Sequence, residues 1–465
     1  MWTICRHQLG DNLRSLRFQV SLVVLLLFFV CNGLIYTMKV ERLTSEDQTI
    51  EADNARRYEQ VETLGSAVDN SYAILNRATG TEFIAEAGFD WFPSSIRISP
   101  RTGDIMSLAL VRTTNNWMRR FDVLDWTLIV RYVLSFLCIV LAYNAVSGEL
   151  ERGTLRLVLA NPLARGSFLL GKFLAHLATL STSVLLGSLI SLAMLTAGGL
   201  VEMNWVLWRG YLSFLLAATF FAALFLLLSM GVSALARTSA SSLVFLLTAW
   251  TVLIVVIPKA SYLIATQSVD LVRGWGDVYQ VWDESQAAME RDGSLPRDPR
   301  LAAQDGYAAE KRYMRHMREV DREVNQIGLQ MQKERHDQYR AAMAANLVSP
   351  GYAFQYTVEA LLGGGIQHVE QFLQAGTRYR EHLQDFLRAR DAADPDSPHI
   401  TFLPEFMSDK QLDPSLIPRY QSSLVPWGER VANAVVPMVV LVLETALAFF
   451  LALWAFNRAD LTGVD

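Results

Sequence analysis

YLSFLLAATFFAALFLLLSMGVSA (Tyr211–Ala234), then LARTSASS (Leu235–Ser242), then LVFLLTAWTVLIVVI (Leu243–Ile257): across residues 211–257 the only charged residue is Arg237. A helix needs roughly 20 apolar residues to cross the ~30 Å hydrocarbon core of a bilayer. The stretch therefore reads as two membrane spans joined by a short turn. Working outward, four more apolar blocks follow the same rule: Phe18–Met38, Trp126–Ala142, Leu174–Ala197 and Val431–Phe456. Six such blocks in a water-soluble chain would leave nothing to cover them. The expected fold class is mainly α, a polytopic membrane protein with six transmembrane helices. A mostly helical extracytoplasmic domain is expected from two long insertions.

Composition agrees. Of 465 residues, 52% are hydrophobic, and mean hydropathy is +0.22. The net charge of -5 carries no nucleic-acid signal. The three cysteines, Cys5, Cys31 and Cys138, lie at or inside apolar segments, so no disulfide framework supports the polar stretches. The first block is longer than a signal-peptide core and runs into Tyr36-Thr37-Met38-Lys39 without a small-residue cleavage site; it reads as a retained span. Small residues in the third and fourth blocks (Gly187, Ser188, Ser191; Ala217, Ala218, Ala222, Ala223) let helix backbones approach closely.

Orientation follows the Lys/Arg bias of short loops. Arg6, Arg14 and Arg17 precede the first block. Arg152, Arg156, Arg165 and Lys172 follow the second, Arg237 follows the fourth and Arg458 the sixth. If the blocks alternate, all fall on one side, the cytoplasm, with both termini there. The expected layout is an interfacial helix at 1–17, spans at 18–38, 126–142, 174–197, 211–234, 243–257 and 431–456, and a cytoplasmic loop at 143–173. A short outer loop (198–210), a cytoplasmic turn (235–242) and a cytoplasmic tail (457–465) complete it. Segments 39–125 and 258–430 lie outside. In the first, a helical pattern runs from Glu46 to Asn76, and Ser95–Ile98 suits a short strand. In the second, Leu301–Val348 reads as one long helix or two, sparse in apolar residues: a solvated arm or a docking surface. Pro350-Gly351 breaks it; Gln355–Leu362 and Ile366–Ala392 are further helices.

The stretch YNAVSGELERGTLRLVLANPLARGSFLLGK (Tyr143–Lys172) is the most informative for function. Asn144, Ser147, Glu149 and Glu151 end a membrane helix with polar groups. Gly153 permits a turn and Thr154 can cap a new helix. Leu155, Leu157, Val158 and Leu159 make that helix short and apolar, and Asn161-Pro162 ends it. Arg165 and Lys172 fall at headgroup depth. Physics leaves two readings open: an ordinary loop, or a surface helix that passes a push from a cytoplasmic partner into the bilayer.

This stretch resembles the signature of ABC-2 type transporter permeases, of a subgroup with a large extracytoplasmic domain. The matching residues are Ser147-Gly148-Glu149, Glu151-Arg152, Gly153-Thr154-Leu155, Asn161-Pro162, Arg165 and Leu169-Leu170-Gly171-Lys172. Arg6–Phe18 is similar to the family's interfacial helix, and the resemblance also covers the Ser233–Arg237 turn. The large outer segments depart from the family's usual small loops. Within the subgroup, a segment like Ser349-Pro350 through His368, Phe372 and Tyr379-Arg380 precedes the last helix. The resemblance implies an export permease that pairs with a second permease subunit, identical or related, and binds a separate cytoplasmic ATPase. It implies that this chain binds no cofactor, ATP and Mg being held by the ATPase. An envelope protein is a further candidate partner. ATPase coupling would fall to Glu149, Glu151, Arg152, Gly153, Thr154, Leu155, Leu159, Pro162 and Arg165. A non-transport machine on the same scaffold, moving its outer part to regulate an envelope protein, is the alternative.

Other motifs carry less. Gly166–Lys172 fits GxxxxGK, but Phe173 stands where a Ser or Thr should hold Mg²⁺, and an apolar block follows. The seven histidines show no metal-ligand spacing; His368 with Glu370 is an isolated pair, and His176 reads as a satisfied core residue. No catalytic pair is visible at membrane depth. Arg131 and Glu444 are ionisable residues inside spans, which are costly there. Arg131 is close enough to the outer boundary to snorkel. Glu444 can be protonated, bonded to a neighbouring helix, or facing a substrate path. Pro437 is expected to kink the last span.

Overall fold

The computed structural model describes residues 2–76, 80–86, 95–101, 124–154, 165–268, 272, 274–422 and 424–458. Helix α1 (Trp2–Arg14) leads into α2 (Leu16–Glu59), whose start is capped by the Ser15 hydroxyl accepting from the Phe18 amide. Two short elements, α3 (Leu64–Asp69) and β1 (Tyr72–Leu75), precede β2 (Ser95–Ile98). Then come α4 (Trp126–Glu151), α5 (Arg165–Ala197) and α6 (Trp205–Leu235). Helix α7 begins as Ser239–Thr251, passes through a π-helical segment at Val252–Val256 and continues as Ile257–Ser268. The rest is α8 (Trp275–Asp292), α9 (Pro299–Gln304), α10 (Ala308–Asn346), α11 (Pro350–Leu362), α12 (Gly365–Ala392) and α13 (Trp427–Arg458).

Six of these helices, α2, α4, α5, α6, α7 and α13, are long and apolar enough to span a membrane. The chain is a mainly α, polytopic membrane protein. Length decides what protrudes. The 44 residues of α2 rise about 1.5 Å each, roughly 66 Å in all, more than twice the ~30 Å hydrocarbon core. Its second half therefore leaves the bundle as an unbroken helix. The pattern from Glu46 to Asn76 is helical only in part: α2 ends at Glu59, Thr63 caps α3, and Asn70 ends it before β1. The fifth span is longer than the Leu243–Ile257 block, because Thr238 and Ser241 form a capping box that starts it at Ser239.

The bundle core gathers on Trp126, which is fully buried among Phe29, Phe83, Tyr211 and Phe214 at centroid distances of 5.0–5.7 Å. Its indole N–H donates to Asn32 Oδ1 at 2.9 Å, and the Ser191 hydroxyl donates to the same oxygen at 2.8 Å. This polar knot ties α2, α4 and α5. Small residues set the close approaches: a Cβ on Gly187 would overlap the Phe29 ring of α2, and one on Gly231 would sit 3.2 Å from Ala452 Cα of α13.

Helix α11 also belongs to this core. Ala353, Phe354, Val358 and Leu362 are buried with the spans, Phe354 stacking on Phe221 at 5.0 Å. The chain breaks ahead of Pro350, α10 ending at Asn346, and Pro350 starts α11, as its missing N–H allows at a first helical position. The Ser349 hydroxyl donates at 2.6 Å to the Leu253 carbonyl in the π segment of α7. At the other end, Gly363 takes φ +77° and Arg430 of α13 donates to the Leu362 carbonyl at 2.9 Å.

A second core draws on both long insertions. Strands β1 and β2 pair antiparallel, Tyr72 opposite Ile98 and Leu75 opposite Ser95. Tyr58 at the end of α2 meets Tyr379 of α12, hydroxyl to hydroxyl, at 2.9 Å. The long charged helix is less solvated than its composition implies. Val320, Val324, Ile327 and Met331 form a stripe on α10 that α8 covers through Val278. Helix α13 continues through Pro437.

Candidate coupling interface

At the end of the bundle that carries α1, α4 interrupts its helix at residues 143–146 and resumes as Ser147–Glu151. A helix start leaves backbone N–H groups without intrahelical acceptors. Ser233 of α6 supplies one: its hydroxyl oxygen accepts from the Val146 and Ser147 amides, both at 3.1 Å. Ser233 and Ser147 are fully buried.

Three further ties fix the segment. Lys172 of α5 donates to the Ala145 carbonyl at 2.7 Å and also pairs with the Glu149 carboxylate. Ser239, the first residue of α7, gives its N–H and its hydroxyl to the Glu151 carboxylate, each at 2.8 Å. Ser242 donates to the Tyr143 carbonyl at 2.7 Å. The segment is thus bonded to α5, α6 and α7, and each of these ties involves a backbone atom or an ionised carboxylate.

The exposed side is a wide depression of about 730 Å³ lined by Ser15, Arg17, Asn144, Gly148, Glu151 and Arg152 among others. Arg152 is exposed and donates to the Gly148 carbonyl at 2.8 Å. Arg17 lies over the Tyr143 ring, 5.3 Å from its centroid. Gly153 takes φ +71°, the left-handed region that suits glycine. Thr154 bonds backward, donating to the Glu149 carbonyl at 3.3 Å. Leu155, Leu159 and Pro162 lie outside the described residues, and Arg165 opens α5.

The structure therefore brings Glu149, Glu151, Arg152, Gly153 and Thr154 together. It corrects one placement: Lys172 is buried and paired, not set among headgroups. The GxxxxGK match lies within the first turns of α5 and not in a loop between a strand and a helix. Close by, α1 docks on α5. The Asn12 amide reaches His176 Nδ1 at 3.2 Å and donates to Thr179 Oγ1 at 3.1 Å, which satisfies the buried histidine. Sequence reasoning missed Ser239, Ser242 and Arg17 as parts of this face. The Ser/Thr run at residues 238–242 directly after an apolar block was the available signal.

The two intramembrane ionisable residues lie elsewhere. Arg131 does not snorkel: it is buried against α11, where it hydrogen-bonds Gln355 and lies over the Tyr132 and Tyr352 rings at 4.6 and 4.5 Å. Glu444 is half-buried on α13, and its Oε2 has no hydrogen-bond partner among the described residues.

The profile of the ABC-2 family transporter protein matches residues 2–461. The chain belongs to the ABC-2 family. Two curated relatives of this ABC-2 protein are named "Probable ABC transporter permease protein NosY". The one from Stutzerimonas stutzeri is 32% identical over 128 residues, covering 27% of this chain and 45% of that relative. The one from Pseudomonas aeruginosa is 43% identical over 65 residues, 14% of this chain and 24% of the relative. The alignments thus span less than half of either relative.

Proposed function

We propose that this ABC-2 protein is the membrane-spanning permease subunit of an ATP-driven exporter. Its motor is a separate cytoplasmic ATPase that holds ATP and Mg and docks around Glu149–Arg165. The bundle end carrying α1 then faces the cytoplasm of a bacterial inner membrane, and the second core lies outside. Two permease subunits pair around each translocation path. The observation that carries this reading is the set of ties at residues 143–151. A segment bonded to α5, α6 and α7 cannot be displaced without moving those spans, which is what force transmission requires.

Co-purification tests the partner. Tagged protein drawn from its native membrane should bring an ATP-binding subunit, and Arg152→Glu should release it. If wild-type protein brings none and Arg152→Glu changes nothing, the assignment fails. For transport, the purified complex in vesicles should move a compound only with ATP.

One observation favours a second reading. Helix α2 runs unbroken from the bundle into the outer core, as a lever would in a machine that moves an outer partner without transport. Hydrolysis accompanied only by movement of the outer unit would select it.

A further inference from the structure

Between the bundle and the second core lies a cavity of about 150 Å³ walled by α10, α11, α12 and α13. Glu359 of α11 lines it and is 4% exposed. One carboxylate oxygen, Oε1, accepts from Gln355 Nε2 at 2.5 Å. The other faces Gly364-Gly365, where a Cβ on Gly365 would stand 3.3 Å from Oε2; glycine there keeps the approach to Oε2 open. No Lys, Arg or His is among the described lining residues. Arg131 reaches only the far side of Gln355. On the opposite wall, Pro437 has no N–H to give the carbonyl of Asn433 four residues earlier, and both residues line the cavity. The remaining wall is Tyr339, Tyr356, Met343, Leu347 and Val436.

The cavity thus offers the Glu359 carboxyl inside an apolar wall that includes two tyrosines. In its ionised form this buried carboxyl calls for a donor that carries positive charge, and neighbouring aromatic rings favour the same charge. An apolar cavity of about 150 Å³ accommodates a ligand the size of benzene. We propose that this cavity binds a small organic ammonium ion, its head on Glu359 and its hydrocarbon body between Tyr339, Met343 and Val436. The site stands on geometry alone and does not depend on the transport reading.

The test is calorimetric titration of the full chain in lipid nanodiscs with n-butylammonium, using n-butanol as the neutral isostere, in mildly alkaline buffer. Expected is saturable one-site binding of the ammonium and none of the alcohol. Glu359→Gln weakens it roughly tenfold or more, the loss of one charge-assisted contact. Val436→Trp, on the exposed side of α13, fills the cavity, keeps the carboxylate and abolishes binding. Should Glu359→Gln not yield monodisperse protein, Val436→Trp decides alone. Equal binding of butanol, wild-type affinity in Val436→Trp, or no binding at about 10 mM ligand overturns the proposal.

Discussion

Ser233 shows how much can rest on one hydroxyl. Its oxygen takes two backbone N–H groups from a neighbouring helix start, and the site is closed to water. Ser233→Ala leaves both amides without that acceptor. An unsatisfied buried donor costs about 1–3 kcal/mol, so the variant should unfold at lower temperature than wild type by that measure. Ser241→Ala, at a half-buried capping-box position, should cost about 1 kcal/mol or less. Glu359 carries a different expectation, in pH. Burial raises its carboxyl to about 8, opposed by the Gln355 hydrogen bond; Asp125 adds to the rise and Arg131 opposes it. The native state then holds a proton that the unfolded chain releases above about 4.3. Stability should fall as pH rises from there to about 8 and level off beyond. Asp125, raised to about 6 by burial, adds the same sign at the lower end. Thermal unfolding across this range should show the slope, and Glu359→Gln should flatten its upper part. An unchanged slope would mean that Glu359 is ionised in the folded protein. Of the charged residues on the candidate face, Glu149, Glu151 and Arg152 were legible in sequence because they sit within one short motif, whereas Arg17 lies outside it. Their anchors were not, since Ser233, Ser239 and Ser242 come from residues 86–99 positions away. No local pattern encodes that pairing.

Spans are legible at the scale of the element because lipid demands long apolar runs, and the six blocks each fall inside a helix of the structure. Helix α11 was harder to read. Thirteen residues are too few to cross a bilayer, so its sequence reads as part of an outer segment, yet the bundle buries it. It sits against both π-helical segments, Ile129–Leu134 of α4 and Val252–Val256 of α7. A π segment frees backbone carbonyls from regular pairing, and Ser349 satisfies one of them. Hydrophobic period alone does not reveal such local rewinding. Close helix contacts give the sharpest test at this scale. Gly187→Leu drives a side chain into Phe29, an overpacking cost of roughly 1–3 kcal/mol, and should lower both yield and unfolding temperature. Gly166→Ala, where a Cβ meets nothing within 4 Å, should be neutral or slightly stabilising.

For the whole molecule, the bundle is joined to the second core by α2 on one side and by α11 with α12 on the other. If the α1 end is cytoplasmic, a cysteine at Thr154 should react with an impermeant maleimide only after cells are opened. A cysteine at Leu329, 59% exposed on α10, should react in intact cells. Reversed labelling would invert the proposed orientation and remove the ATPase from the assigned face. The same two positions also separate the two functional readings. Proline at Ser45, in the protruding part of α2, removes a helical hydrogen bond at a cost of about 3 kcal/mol and should make the lever bend. The outer core, closed by its own buried residues from both insertions, should stay folded. Under the mechanical reading, spin labels at Thr154 and Leu329 should change their separation on ATP addition in the wild-type complex. They should not in Ser45→Pro, although hydrolysis continues. Under the transport reading, Ser45→Pro should still move substrate into vesicles. The variant therefore tells whether α2 carries the work out of the membrane or only holds the outer unit in place while the spans do it.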